Sequence, residues 1–287
     1  MIRFLNKLYA LATLLALNFA ASPALADTNV GHNWQIGFHE AVTSSAERIH
    51  HFHDLLLYII SAIVLFVFVL LLIVAVRFNE KANPKPSKTT HNVMLEIVWT
   101  LIPFLILVVI SVPSFKLLYK NDRIANPEMT LKITGNQWYW EYEYPDNGGV
   151  SFASNMLPED QIDPAKGQVR LLSTDAPVYL PIDTDISILV TSPLTGVIHS
   201  WTVQPFGVKM DAVPGRTNET WFNIEKTGTY YGQCSELCGK DHAFMPIEIH
   251  AVTRKEFNDW IVKQGGKALP VKKDEKQAAK KILIPSG

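Results

Sequence analysis

The chain has 287 residues, 48% of them hydrophobic, and its 26 Lys and Arg against 27 Asp and Glu give a formal net charge of −1. That near-neutral total hides an uneven distribution, because residues 121–264 hold 19 acidic and 11 basic side chains, an excess of eight negative charges. An acidic domain repels nucleic-acid phosphates, which excludes nucleic acid as a partner. It also attracts basic partners, although acidity that only keeps the domain soluble accounts for the charge equally well.

At the N-terminus Arg3 and Lys7 precede an apolar run from Leu8 to Ala21, and Ala24-Leu-Ala26 stands just before Asp27. This layout predicts a secretory signal peptide over residues 1–26, with an uncleaved anchor as the alternative. Residues 27–54 then form an outer N-terminal segment, in which His50, His51 and His53 lack a thiol or carboxylate set and read as interfacial side chains. Leu55 to Val76 contains no charge, and at about 1.5 Å per residue it reaches roughly 33 Å, enough to cross a hydrocarbon layer of about 30 Å. A second membrane helix is expected over 97–119, its Pro103 and Pro113 tolerated as they are in membrane helices. In the loop 77–96, Arg77, Lys81, Lys85 and Lys88 face only Glu80, which places it in the cytoplasm and everything beyond Tyr119 outside, in the periplasm of a bacterium.

From Met129 the pattern alternates with a period of two. Strands are predicted over 129–134, Trp138–Tyr144, Val169–Leu172, Ile186–Val190, His199–Val203, Thr220–Ile224, Gly228–Tyr231 and Pro246–Val252, with turns at Asn147-Gly-Gly149 and Pro214-Gly215. Eight short strands imply a β-sandwich or Greek-key barrel over 120–264. It should be closed by a helix from Lys255 to Lys263 capped by Thr253. The Lys-rich residues 265–287 read as a disordered or interaction tail.

Both cysteines of the chain fall in one loop, Cys234 and Cys238, followed by His242 and Met245. Outside the cell a disulfide is the default for such a pair, and the spacing does not exclude one. Thiolate, imidazole and thioether are also the donors that favour copper, and a further imidazole, His199, heads another strand.

At Gln137-Trp-Tyr-Trp140, His199-Ser-Trp201, Asp211-Ala-Val-Pro-Gly-Arg216, Tyr230-Tyr-Gly-Gln-Cys-Ser-Glu-Leu-Cys-Gly239 and His242-Ala-Phe-Met-Pro246 the chain resembles cytochrome c oxidase subunit II. The likeness covers nearly all of residues 55–252 and implies a two-helix anchor bearing a cupredoxin-like domain with a binuclear copper centre, CuA. It further implies that Cys234 and Cys238 bridge two coppers, with His199, His242 and Met245 as further ligands and Glu236 contributing its backbone carbonyl. The Glu236 carboxylate would help hold magnesium or manganese at the contact with subunit I, with Asp211 ordering that metal's water. Haem would reside in subunit I and none in this chain.

The same resemblance makes Trp138 the exposed residue through which electrons arrive from cytochrome c, with Glu143, Asp146 and Asp175 as docking acids and Glu96 at the mouth of a proton path into subunit I. Subunit III would be a further partner. Strand alternation alone sends Trp138, Trp140, Tyr142 and Tyr144 to one face, where a buried aromatic core is the ordinary outcome. Where many relatives have an acid before the first histidine ligand, this chain has the uncharged Pro193-Leu-Thr-Gly196. The expected function is therefore electron acceptance within a proton-pumping oxidase. A membrane-anchored copper-delivery or thiol-redox module is the alternative, one that leaves the aromatic run and Glu96 without a task.

Overall fold

The computed structural model describes residues 30–122, 124 and 126–270. The signal peptide expected over 1–26 and residues 271–287 of the tail lie outside the described residues.

Two long helices carry the apolar runs: α1, Ser44–Arg77, and α2, Val93–Asp122. Both have the length and composition to cross a membrane, and none of their central apolar side chains is buried within the chain. Such a surface needs lipid or another subunit around it. Each helix outruns its uncharged span because its outer end is tied to the β-domain. Thr43 caps α1 by accepting from Ala46 N at 3.0 Å and donates through Oγ1 to Phe206 O at 2.8 Å. Ala46 is buried against Gly207, whose φ of 67° lies in the left-handed region that glycine adopts without strain. On α2, Lys120 O and Asn121 O accept from Trp221 Nε1 and Thr220 Oγ1, each at 3.0 Å.

The outer domain is a sandwich of two five-stranded sheets. In the first, β1 (Met129–Asn136) pairs with β2 (Tyr139–Tyr144) and, in parallel, with β5 (Ile186–Thr191). There β3 (Val150–Ser154) and β8 (Asn218–Phe222) form the edges. The second sheet runs β4 (Val178–Pro181), β10 (Pro246–Val252), β9 (Gly228–Cys234), β6 (His199–Val203) and β7 (Val208–Ala212). Alternation places Leu131, Ile133, Trp140, Tyr142, Ile188, Trp201, Ile247 and Ile249 in the space between the sheets, all fully buried. The terminal helix α3, Arg254–Lys263, begins with a capping box between Thr253 and Glu256, and buries Phe257 and Ile261 over the core.

Three features depart from the expected strands. Val169–Leu172 is a turn, with Leu171 at a φ of 67° and Val169 N bonded to Ser173 Oγ at 2.9 Å. The segment it introduces lies over the outer face of the second sheet, where Thr174 N donates to the buried Glu248 carboxylate at 2.6 Å. Strands β3, β4 and β7 form where none was expected. Finally β2 starts at Tyr139, so Trp138 stands in the turn before it and leaves the buried aromatic row to Trp140, Tyr142 and Tyr144.

Candidate metal centre

One end of the sandwich gathers donors from two strands and a loop. His199 opens β6, Cys234 closes β9, and the loop between β9 and β10 supplies Cys238, His242 and Met245. Pairing of Trp201 with Cys234 across β6 and β9 fixes the first two together. The ligand atoms of His199, Cys234 and Cys238 all lie within 4.8 Å of one another. Cys234 Sγ is 3.9 Å from both His199 Nδ1 and Cys238 Sγ, and Cys238 Sγ is 3.6 Å from His242 Nδ1 and from Met245 Sδ. Cys234 Sγ also approaches the Glu236 carbonyl oxygen at 3.4 Å. Both cysteines are free thiols, so the disulfide left open by their spacing does not form here.

The site is dry. His199, both cysteines and Met245 are buried, with His242 half-buried at the rim. Burial, reinforced by nearby His242, lowers the His199 pKa to about 4, so its ring is neutral and a lone pair is available. Burial and then the neighbouring Cys234 push the Cys238 thiol up to about 12, so a cation is required to hold that sulfur as a thiolate. Two thiols, two imidazoles, a thioether and a carbonyl converging in a water-poor pocket are the soft donor set that copper prefers, and the residues present therefore fit that metal.

Neighbouring side chains hold this loop. Trp138 Nε1 donates to Cys238 O at 3.1 Å, and its half-buried ring packs over Gly239, with Lys240 Nζ 5.4 Å from the ring centroid. Trp138 is thus less exposed than expected. Trp140, which the sequence reading assigns only to packing, donates from Nε1 to Met245 O at 3.2 Å and meets His199 edge to face at 5.9 Å. No local pattern marks that role, since it arises only when β2 and β10 face each other.

The remaining expected residues fall at different distances along the fold. The Glu236 carboxylate is exposed at the loop tip, and Asp211, also exposed, pairs in register with Ser200 beside His199. Asp175 accepts from Asn155 N and Nδ2, directly after the Ser154 that opposes Trp140, which puts it at the Trp138 end of β2. Glu143 and Asp146 lie toward the opposite end of that strand, and Glu143 is paired with Lys132 at 2.8 Å. Glu96, half-buried in the first turn of α2, belongs to the end of the helix pair opposite the β-domain, away from the donor cluster.

Comparison with known proteins agrees with this architecture. Residues 31–117 match the family described as cytochrome C oxidase subunit II, transmembrane domain, and residues 129–252 match its periplasmic domain. A probable cytochrome c oxidase subunit 2 of Rickettsia bellii is 47% identical over 228 residues, 79% of this chain and 83% of that one. Cytochrome c oxidase subunit 2 of Zea mays is 44% identical, over 80% of this chain and 90% of its own. Among solved structures, the periplasmic domain of cytochrome oxidase subunit II from Bradyrhizobium japonicum is 49% identical, covers 50% of this chain and 97% of its own, and has a TM-score of 0.45. Identity at this level, sustained from the membrane hairpin through the thiol loop, means that this two-pass membrane protein with its soluble C-terminal β-sandwich belongs to the cytochrome c oxidase subunit II family.

Proposed function

We propose that this chain is the electron-accepting subunit of its oxidase, with His199, Cys234, Cys238, His242, Met245 and the Glu236 carbonyl as the ligands of a dicopper centre. The convergence of two thiols, two imidazoles and a thioether in one largely buried cluster carries this reading. When bound, the copper pair takes up and gives on one electron at a time. The chain's own residues do the rest. Burial excludes water from the sulfurs, Trp140 holds the Met245 carbonyl, and the Trp138 indole, bonded to the Cys238 carbonyl, offers a short route inward from the surface.

Cytochrome c is the proposed donor, arriving at Trp138 with Asp175 nearest and with Glu143 and Asp146 as outlying acids. Haem in subunit I is the proposed acceptor, with none in this chain, and subunit III completes the core. The hard oxygens of Glu236 and Asp211 suit a magnesium or manganese ion at the subunit I contact. An ionisable side chain such as Glu96, at the head of a membrane helix, suits the start of a proton path. In a bacterium the helices would cross the inner membrane over 55–76 and 97–119 with loop 77–96 inside. The signal peptide 1–26 would be removed, leaving segment 27–54, the domain 120–264 and the tail 265–287 in the periplasm.

Metal analysis and a near-infrared absorption spectrum of the purified oxidase test the central point. Two coppers assignable to this subunit, with both thiols protected from alkylation, are expected. A subunit without copper and with an intact Cys234–Cys238 disulfide overturns the reading.

A further inference from the structure

The outer ends of α1 and α2 enclose a groove of about 400 Å³ that takes no part in the electron route. Its wall is apolar, with Phe52, Leu55 and Leu117, and its rim carries Arg48, Lys116 and Lys120. Among the described residues these three cations have no ion-paired carboxylate. Arg48 Nε is buried without a hydrogen-bond partner, and Arg48 Nη2 bonds Ser45 Oγ at 3.2 Å. His51, also on the rim, is engaged with Glu47 at 3.8 Å. The orientation rule does not explain these cations, because they stand at the outer end, opposite the basic loop of Arg77, Lys81, Lys85 and Lys88.

Depth identifies the ligand class. Arg48 lies roughly 10 Å along α1 outside Leu55, where the uncharged run of that helix begins, and Lys116 directly follows Phe115, where the uncharged run of α2 ends, so all three charges reach the headgroup layer. One step further inward on the same seam a second groove, of about 460 Å³, is lined by Ile59, Ala62 and Ile63 of α1 and by Leu105, Ile106 and Val109 of α2. A cationic mouth above an apolar trough matches a molecule that has both a phosphate and an acyl chain. A free anion would leave the trough bare, and a neutral lipid would leave the cations unmatched. The mouth is also held in place, since the β-domain fixes α1 through Thr43 and α2 through Trp221 and Thr220. We propose that Arg48, Lys116 and Lys120 bind the headgroup phosphate of an anionic phospholipid whose acyl chain lies between α1 and α2.

Native mass spectrometry of the delipidated oxidase complex, titrated with phosphatidylglycerol, phosphatidylcholine or inorganic phosphate, tests this. The wild-type complex should retain one more phosphatidylglycerol than the Arg48→Gln/Lys116→Gln/Lys120→Gln variant, and each single lysine substitution should weaken its retention about fivefold. Ala62→Phe, which fills the trough and leaves every charge in place, should lose the same lipid. Copper content and subunit stoichiometry unchanged in the single lysine variants show that assembly is intact. Equal phosphatidylglycerol retention by the wild type and the lysine variants, as when subunit I fills the groove, overturns the proposal. So does equal retention of phosphatidylcholine, or displacement of the lipid by inorganic phosphate at comparable concentration.

Discussion

Gly135 sits on β1 with its missing side chain facing His199, where an added Cβ would stand 3.0 Å from the Cβ, Cγ and Cδ2 atoms of that histidine. A contact that tight forces the imidazole to move by a few tenths of an ångström, and the neighbouring Trp140 ring and the β6 backbone leave it little room. Gly135→Ala should therefore weaken copper binding by about 10–100-fold, as loss of support around a metal ligand commonly does, while the sandwich stays folded. Copper competition with a chelator measures the loss, and unchanged affinity would show that His199 is not constrained by β1. The soft donors were legible in the sequence by residue type, thiol, imidazole and thioether, while their spacing left a disulfide open and the family resemblance supplied the ligand set. Gly135 and Trp140 were not, because their effect depends on which strand packs across from them.

At the scale of the element, α3 covers the core with Phe257 and Ile261 and is held at its start by a two-residue cap. The Thr253 side chain accepts from Glu256 N, while the Glu256 carboxylate accepts from Thr253 N at 2.9 Å and from its hydroxyl at 2.8 Å. Thr253→Ala should cost about 1 kcal/mol and lower the Tm of the outer domain by about 2–4 °C. A thermal melt that does not move would mean the cap is replaced by water. The junction between α1 and the domain rests on Gly207, whose φ is 67° and where an added Cβ would stand 2.7 Å from Ala46 Cα, so no side chain is admitted. Gly207→Ala adds left-handed strain of about 1–2 kcal/mol to that clash, so amide exchange in the first turn of α1 should accelerate about tenfold or more. Exchange at the wild-type rate would place the anchor elsewhere. Period-two alternation revealed most strands, yet Val169–Leu172 was misread because its apolar residues serve a turn laid across the second sheet. The helices outran their apolar windows because polar residues such as Glu47 and Arg48 continue α1 up to Thr43.

For the whole molecule the uneven charge bears on how the proposed donor protein would meet the metal-site end. The eight excess negative charges of residues 121–264 act together over a Debye length of about 30 Å at 10 mM salt, but of less than 10 Å at 200 mM. Steering of a basic cytochrome c should therefore raise kcat/KM by about tenfold or more at the lower salt, chiefly through the association rate. The acids are not equivalent within that field. Glu143 is already offset by Lys132 at 2.8 Å and lies toward the far end of β2, whereas Asp175 carries its charge at the Trp138 end. Where the expected acid is absent, Leu194 stands 84% exposed, so on the proposed docking an apolar contact would contribute there. Asp175→Asn should consequently flatten the salt dependence more than Glu143→Gln, with copper content unchanged in both. Stopped-flow oxidation of reduced cytochrome c across 10–200 mM salt, with these two variants beside the wild type, separates the contributions. A wild-type rate indifferent to salt rules out electrostatic docking, and an equal response in the two variants would relocate the docking surface away from Trp138.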